Sequence, residues 1–319
     1  MEEFRLKTLT PVWTGGVEGK NDKLHVTGIK GSIRWWYEVL IRGLGNYACD
    51  PTANGHCELK PKELNRYQPL AQQIKEKICP ACYMFGCTGW SGKFILKLME
   101  PGTNKPVQSL SSRGIEFRLH FLEQKRIDPE EQILLKMTLK LIVDYGAIGG
   151  KTIFKPSEVK YKNTKLHHKD FGILARGEQS NLPTEKIQTD EIVQYLKKFK
   201  NKKFKNKIEW PNMKYFWFVK GECIDRPQHN QLVKRNADGN YRDSVNEDDV
   251  FLGGFISSKK IFSFHGIDPE NNKHVIQEIK RCFGYVKEKE LDNVVSLIEK
   301  NVLSLTGKIE KGEEVLNEL

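Results

Sequence analysis

The stretch Thr27–Gly45 reads TGIKGSIRWWYEVLIRGLG and contains the clearest helical pattern in the chain. Apolar side chains recur in it every three or four residues, at Ile33, Trp36, Tyr37, Leu40, Ile41 and Leu44. This spacing predicts a helix that buries one continuous face, because side chains three and four positions apart lie on the same side of a helix. Gly43 and Gly45 predict where the helix ends, since glycine commonly terminates helices.

Strands are predicted on both sides of this helix, followed by a second helix. A short strand is predicted at Phe4–Leu9, and alternating apolar and polar residues predict two more at 94–98 and 115–121. The sequence Asp128–Glu131, DPEE, predicts the start of the second helix, because aspartate caps a helix and proline fits its first position. With a last strand at Lys151–Phe154, the order β-α-β-β-α-β predicts a ferredoxin-like domain, a four-stranded antiparallel sheet with two helices on one face.

The second half of the chain shows a weaker pattern of the same kind. Its predicted elements are a strand at Phe171–Leu174, a helix at Thr189–Lys203, a strand at Tyr215–Val219, strands near 251–255 and 261–264, and helices at Asn271–Val286 and Leu291–Leu305. The predicted fold class is therefore α+β, with two ferredoxin-like domains packed together. Their predicted bounds are residues 1–156 and 157–319. The first carries a cysteine-rich insertion at about 46–92, and the second, ferredoxin-like or more loosely α+β, ends in helices.

The chain of 319 residues has 52 lysines and arginines against 41 aspartates and glutamates, a formal net charge of +11. Such an excess suits a polyanion or an anionic membrane surface. Residues 1–160 contain 24 basic and 17 acidic side chains and are basic throughout. In the other half the excess depends on seven lysines between 197 and 207, which form either a solvated face or a contact to a polyanion.

Three classes of protein are disfavoured by the sequence. The longest apolar run, Tyr215–Val219, is much shorter than the ~18 residues of a membrane-spanning helix. The N-terminus has acidic residues where a signal peptide would be basic, so a cytoplasmic location is expected. Gly150-Lys151-Thr152 looks like the end of a P-loop, but Tyr145 stands where that motif needs its first glycine, which argues against nucleotide hydrolysis.

Five of the seven cysteines lie within 39 residues, at Cys49, Cys57, Cys79, Cys82 and Cys87. The CxxC pair Cys79 and Cys82 has the spacing of a zinc knuckle. Three interpretations remain open at this point: a structural zinc held by Cys57, Cys79, Cys82 and Cys87, buried thiols without a ligand, and a redox pair. No other cofactor is expected.

The segment Gly28–Ser32, GIKGS, leads into the predicted helix and carries candidate phosphate contacts. Amides at a helix start, together with Lys30 and Arg34, can hold a phosphate, although a tight glycine connection would have the same sequence. Trp35 lies with Arg34 and Arg42 on the face opposite the apolar stripe. A tryptophan between two arginines suits stacking on a base of a single strand, and packing between domains is the alternative.

Four segments together resemble the RAMP proteins of CRISPR–Cas systems. They are Leu9–Gly16 (LTPVWTGG), Thr27–Glu38 (TGIKGSIRWWYE), Cys79–Trp90 (CPACYMFGCTGW) and Tyr145–Thr152 (YGAIGGKT). Within that superfamily the chain is most similar to the first-numbered subunits of type III-B (Cmr) RNA-guided effector complexes. The similarity covers residues 1–155, and it departs after Thr152, where the family commonly continues with arginines and this chain has Ile153-Phe154-Lys155.

The resemblance implies two ferredoxin-like domains and a non-catalytic subunit that caps the effector complex at the 3′ end of the guide. Its implied partners are guide RNA, target RNA or both, and the other subunits of the complex. The predicted RNA contacts comprise cations for phosphates, a tryptophan for stacking, and residues of the glycine segments that let RNA approach the backbone. They are Gly28, Lys30, Gly31, Arg34, Trp35, Arg42, Gly149, Gly150, Lys151 and Thr152.

Two other functions stay open. The first is a metal-independent RAMP endoribonuclease that processes precursor guide RNA, which needs His25 or His120 as acid or base. The second is a scaffold whose basic face contacts an acidic partner protein.

Overall fold

The computed structural model describes residues 3–16, 21–51, 56–152, 169–200, 211–233, 260–267, 275–301 and 308–319. Within these residues the strands are β1 (Glu3–Thr8), β2 (Gly86–Cys87), β3 (Trp90–Ser91), β4 (Phe94–Met99), β5 (Glu116–Glu123), β6 (Leu174–Arg176), β7 (Phe216–Lys220), β8 (Ile261–Phe264), β9 (Arg281–Tyr285) and β10 (Ile309–Lys311). The α-helices are α1 (Val26–Gly43), α2 (Leu70–Lys77), α3 (Pro80–Phe85), α4 (Pro129–Asp144), α5 (Asp190–Leu196), α6 (Arg226–Leu232), α7 (Leu291–Asn301) and α8 (Gly312–Glu318). None of these helices is long and apolar enough to cross a membrane.

β1 occupies an inner position of the first sheet, whose strand order is β4-β5-β1-β6. Every pairing in this sheet is antiparallel. Phe4 and Leu6 of β1 are buried and alternate with half-buried neighbours, as expected for a sheet with one covered face. The apolar faces of α1 and α4 belong to the same core as these strands. The DPEE sequence starts α4 as predicted, and the amide of Asp128 donates to Glu131 at 2.8 Å in a capping box.

The fourth strand of this sheet is β6, so the prediction of a strand at Lys151–Phe154 is wrong for its described residues. Gly149 and Lys151 have φ angles of +81° and +60°, left-handed conformations that interrupt an extended strand. Gly150 instead makes an isolated bridge to Trp13. Residues 153–168, which include the predicted domain boundary, lie outside the described part of the chain. β6 follows that boundary in sequence and pairs with β1.

The second sheet has the order β10-β7-β9-β8 and is also antiparallel. Its inner strand β9 overlaps the predicted helix Asn271–Val286, and that prediction is wrong where the structure describes these residues. The reason is tertiary packing, because all of β9 is buried and Phe283 stacks on Phe262 of β8 at 4.6 Å. Gly284 fits the strand because an added Cβ would lie 2.4 Å from the carbonyl oxygen of Lys260.

Both halves of the chain therefore combine helices with antiparallel sheets, and the predicted α+β class is confirmed. α7 begins at Leu291, as the sequence pattern predicts, whereas β10 and α8 at the end of the chain are additions to the predicted elements.

The two sheets share one core, and α1 lies between them. The ring of Trp36 lies 5.6 Å from that of Phe283 in β9, and both belong to a core that also contains the first sheet. Arg281 of β9 reaches the end of α4, where it donates to the carbonyl oxygens of Val143 at 3.1 Å and Gly146 at 3.4 Å. Burial lowers the pKa of Arg281 to about 10, although Asp144 opposes this effect.

Candidate nucleic-acid interface

A pocket of about 400 Å³ opens between α1, the second sheet and two glycine segments, Gly15-Gly16 and Gly149-Gly150. Its lining comprises Trp13, Thr14, Gly15, Gly28, Ser32, Trp35, Trp36, Ala147, Gly149, Gly150, Thr152, Phe262 and Phe283. Aromatic rings and glycine backbone dominate this lining, which holds no acidic, basic or histidine side chain among the described residues. Walls of this kind accept a flat ring system.

The backbone at Gly149 and Gly150 forms one wall of the pocket. The amide of Gly149 donates to the Ser32 hydroxyl at 3.1 Å, and that of Gly150 to the carbonyl oxygen of Trp13 at 2.8 Å. Gly149 has a φ of +81°, and an added Cβ would lie 2.6 Å from the same carbonyl oxygen. Only glycine fits this position without strain, so the wall is bare backbone that a ligand can approach closely.

Aromatic rings form the facing wall. Trp35 is half-buried, and its ring lies 6.3 Å from that of Phe262 and 6.2 Å from that of Tyr285. The indole N–H of Trp36 donates to the carbonyl oxygen of Ala147 at 2.9 Å, which fixes the ring against the glycine segment. Trp35 is therefore a packing contact between the two halves of the chain and a pocket wall at the same time.

Half of the predicted RNA contacts line this pocket, namely Gly28, Trp35, Gly149, Gly150 and Thr152. Lys151 lies between two of them and is exposed, and its Nζ is 5.7 Å from the ring centre of Trp13. The structure thus places an exposed cation at the rim of an uncharged pocket.

The prediction of a glycine segment ahead of the helix is wrong, because α1 already begins at Val26 with His25 at its N-cap. Gly28 and Gly31 lie in the first two turns of α1. Gly28 packs against the side chain of Thr14, which an added Cβ would meet at 3.7 Å. In this position Gly28 exposes helix backbone to the pocket, and Gly31 does not line it.

Lys30 lies outside the pocket. Its Nζ donates to the carbonyl oxygen of Phe94 on β4 at 3.4 Å and lies 4.6 Å from the centre of that ring. Burial, together with the nearby Arg34, lowers the pKa of Lys30. Lys30 is therefore a contact between α1 and the first sheet.

Arg34 and Arg42, which were predicted as phosphate contacts, lie outside the pocket lining, and both guanidinium groups are bonded within the protein. Arg42 is 6% exposed and donates to the carbonyl oxygens of Ala48, at 2.9 and 3.0 Å, and Pro211, at 2.8 Å. Arg34 donates to the carboxylate of Glu38 at 2.8 Å. Burial raises the pKa of Glu38 to about 7, against the opposing effect of Arg34. This face of α1 is an internal ion-pair ladder.

Sequence reasoning missed eight lining residues: Trp13, Thr14, Gly15, Ser32, Trp36, Ala147, Phe262 and Phe283. Helical spacing could have found two of them, since Ser32 and Trp36 follow Gly28 at intervals of four on one face. Trp13 belongs to a glycine-flanked motif that carries the family resemblance. Phe262 and Phe283 had no local signal, because they reach the pocket through the second sheet.

The two histidines required by the endoribonuclease hypothesis lie outside the pocket lining. His120 on β5 lies 3.5 Å from the carboxylate of Glu3, and His25 lies 3.8 Å from that of Asp22. The His25 ring packs against Gly16, next to Gly15 of the lining, but neither histidine lines the pocket itself.

The clustered cysteines assemble beside the face of α1 that carries Arg34 and Arg42. Cys57, Cys79 and Cys82 lie together as predicted, and the fourth member of the group is Cys49. Cys87 is half-buried in the β2–β3 hairpin, where it pairs with Trp90 and lies outside this group of sulfur atoms.

Comparison with known families agrees with the four sequence segments. Residues 5–154 match the RAMP superfamily. This part of the chain, called the RAMP domain below, is similar to RAMP superfamily proteins. It runs from β1 to Gly149-Gly150 and supplies every pocket residue except Phe262 and Phe283.

Solved structures similar to the chain include Cmr1 and chains of the type III-B Cmr-beta. One is the crystal structure of Cmr1 from Pyrococcus furiosus in its apo form, with 13% identity, 97% of this chain and 98% of that one covered, and a TM-score of 0.47. Two cryo-EM structures of the type III-B Cmr-beta bound to cognate target RNA, one also with AMPPnP, have TM-scores of 0.40 and 0.38. Their identities are 11% and 12%, and each match covers 93% of this chain and 98% of the other. No curated protein matches the chain.

Proposed function

We propose that this chain is a non-catalytic RNA-binding subunit of a type III-B CRISPR effector complex. The observation that carries the proposal is the pocket at the junction of the RAMP domain and the second sheet, with aromatic rings facing bare glycine backbone. Guide RNA, target RNA or both would occupy it, at the end of the complex that the subunit caps. The other subunits of the complex are the remaining partners.

The fold supports two ferredoxin-like units with the cysteine-rich segment inserted in the first. The strand order β4-β5-β1-β6, with α1 after β1 and α4 after β5, is the one that a β-α-β-β-α-β chain gives. The second sheet has four antiparallel strands as well, and residues 46–92 lie between α1 and β4.

Single-stranded RNA suits this pocket for three physical reasons. Aromatic walls stack on bases of any identity, for about 1–3 kcal/mol per base. The glycine backbone leaves room for the strand, and Lys151 at the rim can meet a phosphate. The net charge of +11 adds long-range attraction for a polyanion. None of the described residues that line the pocket has a titratable side chain to act as general acid or base, which supports a binding role over cleavage.

The test measures binding of the full chain to fluorescently labelled single-stranded RNA at several salt concentrations. We expect Trp13→Ala to weaken binding by about tenfold or more, since one stacked base is lost. We expect Lys151→Glu to weaken binding and to make it less sensitive to salt by about one phosphate contact.

The chain offers a matched control pair outside the pocket. Trp90 is another half-buried tryptophan, and Lys125 lies 4.0 Å over its ring. Trp90→Ala and Lys125→Glu make the same chemical changes, and both should leave RNA affinity within about twofold. If the pocket variants and the control variants lost equal RNA affinity, the binding would be general electrostatic attraction, and the pocket would not be the RNA site. RNA cut under single-turnover conditions would favour the endoribonuclease, and crosslinks only to protein would favour the scaffold.

A further inference from the structure

We propose that Cys49, Cys57, Cys79 and Cys82 bind a structural zinc ion beside α1. The four Sγ atoms lie within 4.8 Å of one another, and each side chain is at most 1% exposed. The cysteines come from three parts of the chain: the loop after α1, the stretch ahead of α2, and the turn that begins α3. An ion bound by all four would tie these parts together.

The distances between the sulfur atoms fit a tetrahedral metal site. Four thiolates at the usual zinc–sulfur distance of about 2.3 Å are separated by about 3.8 Å along each edge of the tetrahedron. Here Cys49 Sγ lies 3.3 Å from that of Cys82 and 3.8 Å from that of Cys79. A disulfide needs about 2.05 Å, so the sulfur atoms are too far apart for a bond and close enough to share an ion.

Hydrogen-bond donors point at the sulfur atoms as they do around metal-bound thiolates. The backbone amide of Cys82 donates to Cys79 Sγ at 3.4 Å, and that of Cys79 donates to Cys57 Sγ at 3.3 Å. The guanidinium of Arg34 donates to Cys82 Sγ at 3.2 Å. A buried guanidinium gains far more from a negatively charged sulfur than from a neutral thiol, so these contacts favour deprotonated cysteines.

The buried arginines beside the cluster also favour a negatively charged group next to them. Arg34 and Arg42 flank a single carboxylate, Glu38, on one face of α1, and this ladder has a net charge of +1. Zinc with four thiolates has a net charge of −2 and would lie against the two cations. Four neutral thiols would add no negative charge for these two cations beyond that of Glu38 and of Asp50, which also acts on Arg42.

α1 and the adjacent hairpin hold the ligand segments in place without the ion. Arg42 donates to the carbonyl oxygen of Ala48 at 2.9 Å and reaches that of Cys49 at 3.4 Å. On the other side, the amide of Leu59, two residues after Cys57, donates to the carbonyl oxygen of Thr88 at 2.9 Å. Four buried cysteines would fill all four positions of a tetrahedral ion, which makes the role structural.

The experiment measures metal in the full chain after expression in zinc-supplemented medium and dialysis. We expect one zinc per chain, coordinated by four sulfur atoms in X-ray absorption, with no disulfide in mass spectrometry. We expect Cys49→Ser to lose most of the bound zinc and to lower the unfolding temperature by about 5 °C or more. The matched control Cys87→Ser, a neighbouring cysteine outside the group, should keep one zinc.

Several results would overturn the proposal. They are four free thiols without metal, a disulfide among the four cysteines, bound iron in place of zinc, or zinc lost from Cys87→Ser and kept by Cys49→Ser. If Cys49→Ser does not fold, cobalt is added to metal-stripped wild-type protein instead. Binding by four thiolates gives intense charge-transfer absorption and tetrahedral visible bands, and the absence of these bands would overturn the proposal. This outcome is independent of RNA binding, so either proposal can fail alone.

Discussion

Lys93→Met is expected to lower the free energy of unfolding by about 3–5 kcal/mol, because it leaves a buried carboxylate without its cation. Lys93 and Glu131 are 2% and 1% exposed, and their charged groups lie 2.5 Å apart. The Lys93 ammonium also lies 4.0 Å over the ring of Tyr83. Glu131 has a second task, since the same oxygen accepts the amide of Asp128 at the start of α4. Chemical denaturation of the purified variant measures the loss.

The effect of Lys93→Met should depend on pH in a defined direction. Burial raises the pKa of Glu131, and Lys93 opposes that rise. Without the lysine the folded-state pKa rises further, so the folded variant binds a proton more readily than the unfolded chain. Such a carboxyl group favours folding at low pH and loses that contribution as pH rises through the folded-state pKa. The deficit of the variant should therefore grow between pH 5 and pH 8.

Lys77→Met is the matched control for this prediction. Lys77 pairs with Glu63 at 3.5 Å, but both side chains are exposed to water, at 32% and 55%. An exposed ion pair contributes about 1 kcal/mol or less, so this variant should stay close to wild type. Adding Glu131→Gln to Lys93→Met should restore part of the stability, because an amide needs no cation. A Lys93→Met variant as stable as Lys77→Met would contradict the prediction.

Gly172→Ala is expected to cost about 2–5 kcal/mol of folding stability and to weaken RNA binding with it. Gly172 has a φ of +83°, and an added Cβ would lie 2.0 Å from the carbonyl oxygen of Ile148. The amide of Ile148 donates to Gly172 at 2.8 Å, and the amide of Gly172 donates to Pro11 at 2.8 Å. Alanine must therefore displace the backbone next to Gly149, which is a wall of the pocket.

Gly172→Ala would lose stability from its left-handed backbone and from the contact with Ile148, and Gly114→Ala separates these two causes. Gly114 has nearly the same φ, +82°, but nothing lies within 4 Å of an added Cβ. It should cost about 1–2 kcal/mol, the left-handed backbone alone, and leave RNA affinity unchanged. Thermal unfolding and RNA titration of both variants make the comparison. Equal losses of stability would mean that the contact with Ile148 plays no part.

The parts of the fold that were predictable are those with a local cause. α1 and the start of α4 follow from side-chain spacing and a capping sequence, and both lie where the pattern places them within a few residues. β9 was predicted as a helix because its strand character comes from pairing with β7 and β8 on either side, and β7 lies about 60 residues earlier in the chain. Sheet partners of this kind leave no trace in the local pattern.

Half of the predicted RNA contacts line the pocket, and the others lie elsewhere for a related reason. Periodicity assigns the second face of α1 to solvent, because arginine and glutamate on a helix are usually exposed. In the structure the segments around Cys49 and α3 cover that face, and the charges are satisfied by each other, by carbonyl groups and by sulfur. Three of the four glycines predicted as RNA contacts, Gly28, Gly149 and Gly150, line the pocket, because the need for bare backbone is a property of single positions.

The walls of the pocket come from widely separated parts of the chain, and this sets the order of events during synthesis. The hydrogen bond between Gly150 and Trp13 can form once α4 and the glycines that follow it have left the ribosome. The ring of Phe283 follows more than a hundred residues later. A nascent chain ending before β9 therefore holds its first sheet and an incomplete groove, and only the finished protein can enclose a ligand there.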